Sequence, residues 1–242
     1  MRENYTLTRL FVTSDLETGS ELSLAREQAH YLGTVLRKSV GGELRVFNGR
    51  DGEWRAEIAT LGKKSAQLTL IECLRSQTEV PDITLLFAPV RKHRTVFIIE
   101  KATELGVRKL QPVQTTRTQF PRFNVEKAHL QAIEAAEQTE RLDVPEIAAL
   151  KPLKDILADW TTTPILFADE AGEAVRADHA VKQAQAPAAI LIGPEGGFTP
   201  QERAELRAMN CVTPVTLGPR ILRADTAALS LLTLWQSAVG DW

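Results

Sequence analysis

The sequence predicts an α/β protein, a mostly parallel, doubly wound sheet preceded by a smaller β-rich domain. Two observations point to the sheet and a third to the small domain. Residues 188–228 contain two apolar runs, AAILIG and TPVTLG, each ending in a Gly/Pro turn and then entering a helix. A buried parallel strand reads as such a short continuous apolar run. The two turns, at Gly193 and Gly218, lie 25 residues apart, about one strand–helix–strand unit. Nearer the N-terminus, ELRVFNG, EWRAEIATL and SAQLTLIECL are separated by Gly-bearing turns, the spacing of a small β-barrel. The boundaries expected are 1–74 for the small domain and 75–242 for the large one.

Composition narrows the class. A chain of 242 residues with 43% hydrophobic and 25% charged residues matches an ordinary globular protein of one large or two modest domains. MRENYTLTRLFV lacks the apolar core of a signal peptide, and no run approaches the ~20 apolar residues of a membrane span. A cytoplasmic protein without a membrane partner is expected. Cys73 and Cys211 lack metal or redox spacing and the four histidines are scattered, so no metal site is expected. Net charge is −2, which is no nucleic-acid signature by itself. Any RNA contact must rest on local patches.

The elements follow in order. Leu7–Val12 reads as a strand, followed by a polar loop to residue 24. Residues 25–38 read as a helix with Ala25, Ala29, Leu32, Val35 and Leu36 on one face. After the three strand-like runs, RSQTEVPD is a linker and ITLLFAP a strand. TVFIIEKATELGV is a helix with Val96, Ile99, Thr103 and Val107 on one face and Gly106 as its C-terminal cap. Lys101 and Glu104 are placed to pair at i,i+3. LQPV is a strand, VEKAHLQAIEAAEQTER a helix in which Glu137 and Arg141 can face each other, KPLKDILADW a short helix, and TTTPILFADE a strand. Residues 184–189 read as a loop.

The turns carry the chemistry. Ligands of open α/β sheets sit beyond the carboxyl ends of the strands. Gly193-Pro194-Glu195-Gly196-Gly197 allows close approach to backbone. The following helix is marked by Thr199 as N-cap, Pro200 at the first helical position, Glu202 completing a capping box, and Phe198 as a staple. Leu217–Arg223 forms the second turn, with Asp225 or Thr226 available to cap the apolar last helix. Asp169 or Glu170, after the TTTPILFA strand, can accept from ribose hydroxyls. Neither turn is a dinucleotide fingerprint or a P-loop.

The pair I-G-P-E-G-G-F and L-G-P-R-I-L-R-A-D-T-A resembles the SPOUT superfamily of methyltransferases. Within it the chain resembles the RsmE family, the 16S ribosomal RNA (uracil-N3) methyltransferases. H-Y-L-x-x-V-L-R, F-N-G, E-K-A-T-E-L-G-V and A-x-E-Q-x-x-R-x-x-V-P extend the resemblance from His30 to Ala228. Gly42 and Asp143 stand where the family often has Asp and a basic residue.

The resemblance implies a parallel sheet ending in a C-terminal trefoil knot, with a PUA-like, RNA-associated barrel before it. Periodicity alone would not propose a knot. It also implies methyl transfer from S-adenosylmethionine to N3 of a uridine in small-subunit ribosomal RNA, within the assembled subunit, by a homodimer. The expected cofactor cup is Leu166, Phe167 and Ala168; Gly193, Pro194, Glu195, Gly196 and Gly197; and Leu217, Gly218, Ile221, Leu222, Arg223 and Thr226. Arg223 is the expected anion-stabilising cation and Glu195 the candidate proton acceptor. Arg26, Arg37, Lys38, Arg91, Arg94, Arg117 and Arg141 are the expected RNA contacts. Leu229, Leu232 and Trp235 fit a dimer surface and equally an intrachain core. The other readings are a SPOUT enzyme for another RNA position, a non-catalytic RNA-binding protein and a Rossmann-type oxidoreductase; the last lacks its fingerprint.

Overall fold

The computed structural model describes residues 4–170 and 174–242. These divide into two compact units: residues 1–79 with 136–143, and residues 80–135 with 144–242. The first unit is therefore discontinuous in sequence.

In the first unit β1 (Arg9–Phe11), β2 (Glu21–Leu24), β3 (Glu43–Phe47), β4 (Glu53–Leu61) and β5 (Ala66–Arg75) form one sheet in the order β1-β3-β4-β5-β2. β1 runs parallel to β3 and the remaining pairs are antiparallel. β2 lies where a polar loop was expected. Its ELSL alternates, with Leu22 and Leu24 buried and Glu21 and Ser23 exposed, and four residues are a short window for that signal. The helix expected over 25–38 is shorter. An α-helix, α1 (Arg26–His30), passes into a π-helical turn over Tyr31–Val35. The wider turn shifts the phase of the helix, so Val35 is 59% exposed while Ala29 and Leu32 are buried.

A buried ionic cluster closes this unit. Glu53, 1% exposed, accepts from Arg9 (2.5 Å), Arg45 (3.3 Å) and Arg75 (2.9 Å). Burial pushes the Glu53 carboxyl up, but hydrogen bonds from Arg75 and Arg9 outweigh it and hold the group below its ordinary value. The cluster grips segment 136–143: Arg9 donates to the carbonyls of Ala136 and Arg141, and Arg45 and Arg75 pair with Glu140. Glu140 adopts a φ of +63° just past the helix that ends at Gln138. Arg141 takes Asp143 as a carboxylate partner at 2.7 Å.

The second unit is three-layered. Its strands are β6 (Ile83–Phe87), β7 (Lys109–Gln114), β8 (Glu146–Ile147), β9 (Lys151–Pro152), β10 (Ile165–Ala168), β11 (Val175–Arg176), β12 (Ala188–Ile192) and β13 (Val212–Thr216). They run parallel in the order β11-β13-β10-β12-β6-β7-β8, with β9 beside β7. The helices are α2 (Lys92–Glu104), α3 (Val125–Gln138), α4 (Leu153–Ala158), α5 (Ala177–Ala180), α6 (Pro200–Ala208) and α7 (Ala224–Ala238).

Strand residues alternate between two cores, as the pleat requires. Leu85, Phe87, Leu166, Ile190 and Val215 pack with α2, α3 and α7; Leu86, Phe167, Ala189 and Leu191 pack with α4 and α6. β12 enters late in the chain yet lies between β6 and β10, and β13 adds to the far side of β10. The carboxyl ends of β13, β10 and β12 are therefore neighbours.

Leu231, Leu232 and Trp235 are fully buried within this unit, so the intrachain core accounts for Leu232 and Trp235, while Leu229 is partly buried against it. Gly106 caps α2 at a φ of +75°, and Lys101 pairs with Glu104 at 2.5 Å. Among the described residues no helix is long and apolar enough to cross a membrane, and no His, Cys, Asp or Glu cluster could hold a metal ion.

Candidate active site

Three turns meet beyond β10, β12 and β13 and line one cup. Ala168 ends β10, and Asp169 and Glu170 follow it. Gly193, Pro194, Glu195 and Gly197 follow β12. Leu217, Gly218, Ile221 and Leu222 follow β13. Of the expected cup, Leu166 and Phe167 lie elsewhere: they are buried on opposite faces of β10, because only residues at the strand end reach the ligand side. Gly196 faces Arg117 rather than the cup. Arg223 and Thr226 are exposed at the start of α7, outside the lining.

Arg220, within the expected Leu217–Arg223 turn, lines the cup, and so do Ile192, Val215, Thr216, Ala224 and Ala227, which lie outside the expected turns. Ile192 and Thr216 are the last residues of their strands, so extending each turn by one residue would find them.

The β12 turn is heavily braced. Thr199 and Glu202 form the expected capping box with Pro200 at the first helical position. Glu202 also accepts from the Thr116 N–H at 2.8 Å. Burial alone would raise its carboxyl, but the Thr116 and Thr199 amides hold it below the ordinary value. Arg117 donates to Gly196 O at 3.0 Å. Phe198 shares a buried cluster with Leu206 of its own helix. It is 1% exposed and meets Phe167 edge-on at 5.0 Å. A Cβ on Gly193 would come within 2.5 Å of the Phe198 ring.

Two adjacent carboxylates behave differently. Asp169 is 2% exposed and held by Arg203 (3.1 Å) and Arg207 (2.7 Å) of α6. Those partners are distant in sequence and no local signal announces them. Glu170 is exposed and lies over Gly197, where a Cβ would sit 2.7 Å from Glu170 Oε1. Of the two, Glu170 is the carboxylate available to a ligand hydroxyl.

The β13 turn is open. Gly218 has a φ of +110°, and a Cβ placed on it would meet nothing within 4 Å; Ile221 is 84% exposed. Arg220 and Arg223 are exposed and make no ion pair among the described residues. Arg223 occupies the N-cap position of α7 without a side-chain cap, and Asp225 lies inside the first turn instead of capping it. Asp225 receives Arg94 at 2.6 Å, and the same guanidinium lies 3.9 Å from Glu195. Arg94, expected at RNA, thus ties α2, α7 and the β12 turn together.

The remaining expected RNA contacts are dispersed. Arg91 is exposed at the N-cap of α2, and Arg117 lies against the β12 turn. Arg26 and Arg37 are exposed and Lys38 half-buried in the first unit, whereas Arg141 is 8% exposed and ion-paired. The last is poorly placed for a phosphate.

The cup suits a nucleoside with a charged tail. Ile192, Leu217 and Leu222 supply an apolar wall, turn backbone supplies polar groups, and Glu170 supplies an acceptor.

Comparison with known proteins agrees. Residues 77–236 match the RNA methyltransferase domain and residues 24–71 the RNA methyltransferase PUA domain. The ribosomal RNA small subunit methyltransferase E of Rickettsia conorii is 34% identical, with 93% of each chain covered. That of Synechocystis is 36% identical over 90% of this chain and 74% of its own. A Legionella pneumophila protein solved with bound SAM superposes with a TM-score of 0.89 at 30% identity, covering 98% of this chain and 99% of its own. The Neisseria gonorrhoeae ribosomal RNA small subunit methyltransferase E, bound to S-adenosyl methionine, gives 0.83 at 26% identity, covering 98% and 99%. With its three-turn cup and both matched domains, this chain belongs to the ribosomal RNA small subunit methyltransferase E family.

Proposed function

We propose that this protein methylates N3 of a uridine in small-subunit ribosomal RNA, using S-adenosylmethionine. The observation that carries the reading is the cup at the neighbouring ends of β13, β10 and β12, with Arg220 on its lining and Arg223 beside it. When bound there, the cofactor supplies a methyl group already activated on a sulfonium. Turn backbone from Gly193–Gly197 and Leu217–Leu222 would hold it, and Glu170 would accept from its ribose.

The acceptor is the harder half of the reaction. N3 of uracil is weakly acidic, so its proton must leave and the imide anion needs a cation. Arg223 stabilises that anion and orients the base. Glu195, exposed on the β12 turn, takes the proton. N3 lies on the Watson–Crick edge, so the uridine must be unpaired when it enters.

The finer architecture belongs to the same reading. The last strands and α7 form a trefoil knot, the first unit closes into a PUA-like barrel that meets RNA, the second unit holds the catalytic fold, and the enzyme works in the cytoplasm as a homodimer on the assembled small subunit.

The test is nucleoside mass spectrometry on small subunits from cells lacking the protein, before and after incubation with protein and S-adenosylmethionine. N3-methyluridine absent and then restored is the expected result. Restoration of a different methylated nucleoside would refute the base assignment.

A further inference from the structure

Many arginines among the described residues are committed to ion pairs. Arg9, Arg45, Arg50, Arg55 and Arg75 pair with carboxylates in the first unit, and Arg94, Arg176, Arg203 and Arg207 in the second. One groove of the second unit departs from that pattern. It lies between the start of α2, the 119–124 loop and the first turns of α3, with a volume of about 460 Å³. Lys92, Arg122 and Lys127 line it, all exposed and none in an ion pair among the described residues. No carboxylate among the described residues lines it. Its floor is apolar, with Ile99 buried beneath.

Two aromatic rings face this basic rim. Phe123 is anchored edge-on against Phe87 at 6.1 Å, while Phe120 is 38% exposed on the loop. An exposed ring beside cations without counter-charges is the arrangement that binds single-stranded nucleic acid: the ring stacks a base and the cations meet phosphates. The volume is sufficient for a nucleotide.

Both sides of the groove adjoin residues that contact the β12 turn. On α2, Lys92 and Thr95 line the groove, and Arg94 between them reaches Asp225 and Glu195. On the loop, Arg117 holds Gly196 O two residues before Gln119 enters the groove lining.

We infer that this groove is a second nucleotide subsite, in which Phe120 stacks an unpaired base of the same RNA strand while Lys92, Arg122 and Lys127 hold its phosphates. The inference rests on the RNA reading of the cup and adds to it a place for a nucleotide flanking the target.

Fluorescence anisotropy of the full chain with labelled oligouridine tests it. Phe120→Ala weakens binding by roughly tenfold, and Phe120→Trp retains it. Lys127→Ala and Arg122→Ala each reduce the slope of log affinity against log salt by about 0.7. Affinity for S-adenosylmethionine stays unchanged in all four variants. Variants that bind oligouridine as wild type does, or a wild type that methylates subunits yet has no affinity for oligouridine, would overturn the subsite and leave the enzyme reading standing. Altered sedimentation of Phe120→Ala with unchanged RNA affinity would make the groove a contact between copies and also overturn it. A wild type that neither methylates subunits nor binds oligouridine refutes the enzyme reading, and the subsite with it.

Discussion

The β12 and β13 turns face the same cup but are built in opposite ways. The β12 turn is braced at several positions: Thr199 and Glu202 cap its helix, Glu202 reaches Thr116, Arg117 holds Gly196 O, and Phe198 is locked on Phe167. The β13 turn has an uncapped helix after it, an open Gly218, and exposed Arg220, Ile221 and Arg223. The difference separates a preformed wall from a surface that a ligand must organise. Preorganised groups lose little entropy on binding, whereas open ones are ordered only when the ligand arrives.

The sharpest way to break this contrast is to fill the braced turn. Gly197 has a φ of +64°, so Gly197→Val imposes about 1–2 kcal/mol of backbone strain and places branches against Glu170. Calorimetry should show loss of S-adenosylmethionine binding; unchanged affinity would make the turn purely structural. Next comes the open turn. Arg223→Ala should keep the melting temperature and cofactor affinity while lowering kcat by on the order of 10²–10³. Wild-type turnover would remove Arg223 from the chemistry.

Breaking the brace itself has a smaller effect. Glu202→Ala should cost about 1 kcal/mol in denaturant unfolding, and should loosen the 115–118 turn along with α6. The same carboxyl gives a pH test. Its folded value lies below the ordinary one, so the unfolded chain binds the proton more readily. The contribution is fully present above the ordinary glutamate value of about 4.3 and disappears as pH falls through the lower folded value. Acid titration of wild type and Glu202→Gln should converge there. The smallest effect is at Ile221. At 84% exposure, Ile221→Ala should shift stability by under about 0.5 kcal/mol, and any loss of cofactor affinity would show that the ligand covers it.

What can be read from the sequence is local. The Thr199–Glu202 box, Pro200 and the Gly106 cap depend on residues within a turn of each other, and all are present. The Gly-rich turns lie at strand ends because apolar runs mark buried parallel strands well. Signals fail where phase or distance decides. One π-helical turn moves Val35 to solvent. The partners of Asp169 and Asp225, Arg207 and Arg94, are 38 and 131 residues away, and no spacing rule connects them. Leu166 and Phe167 fall outside the cup because an apolar run does not show where its strand stops and its turn begins.

The discontinuity of the first unit has a consequence for synthesis. Glu140, which receives Arg45 and Arg75, is made 65 residues after Arg75. At translation rates of roughly 5–20 residues per second, that interval lasts on the order of several seconds. Throughout it, Arg45 and Arg75 await their second carboxylate, and Arg9 awaits the carbonyls of Ala136 and Arg141. The unit that begins first is completed only after β6, α2, β7 and all of α3 have been translated, so the order of translation is not the order of completion.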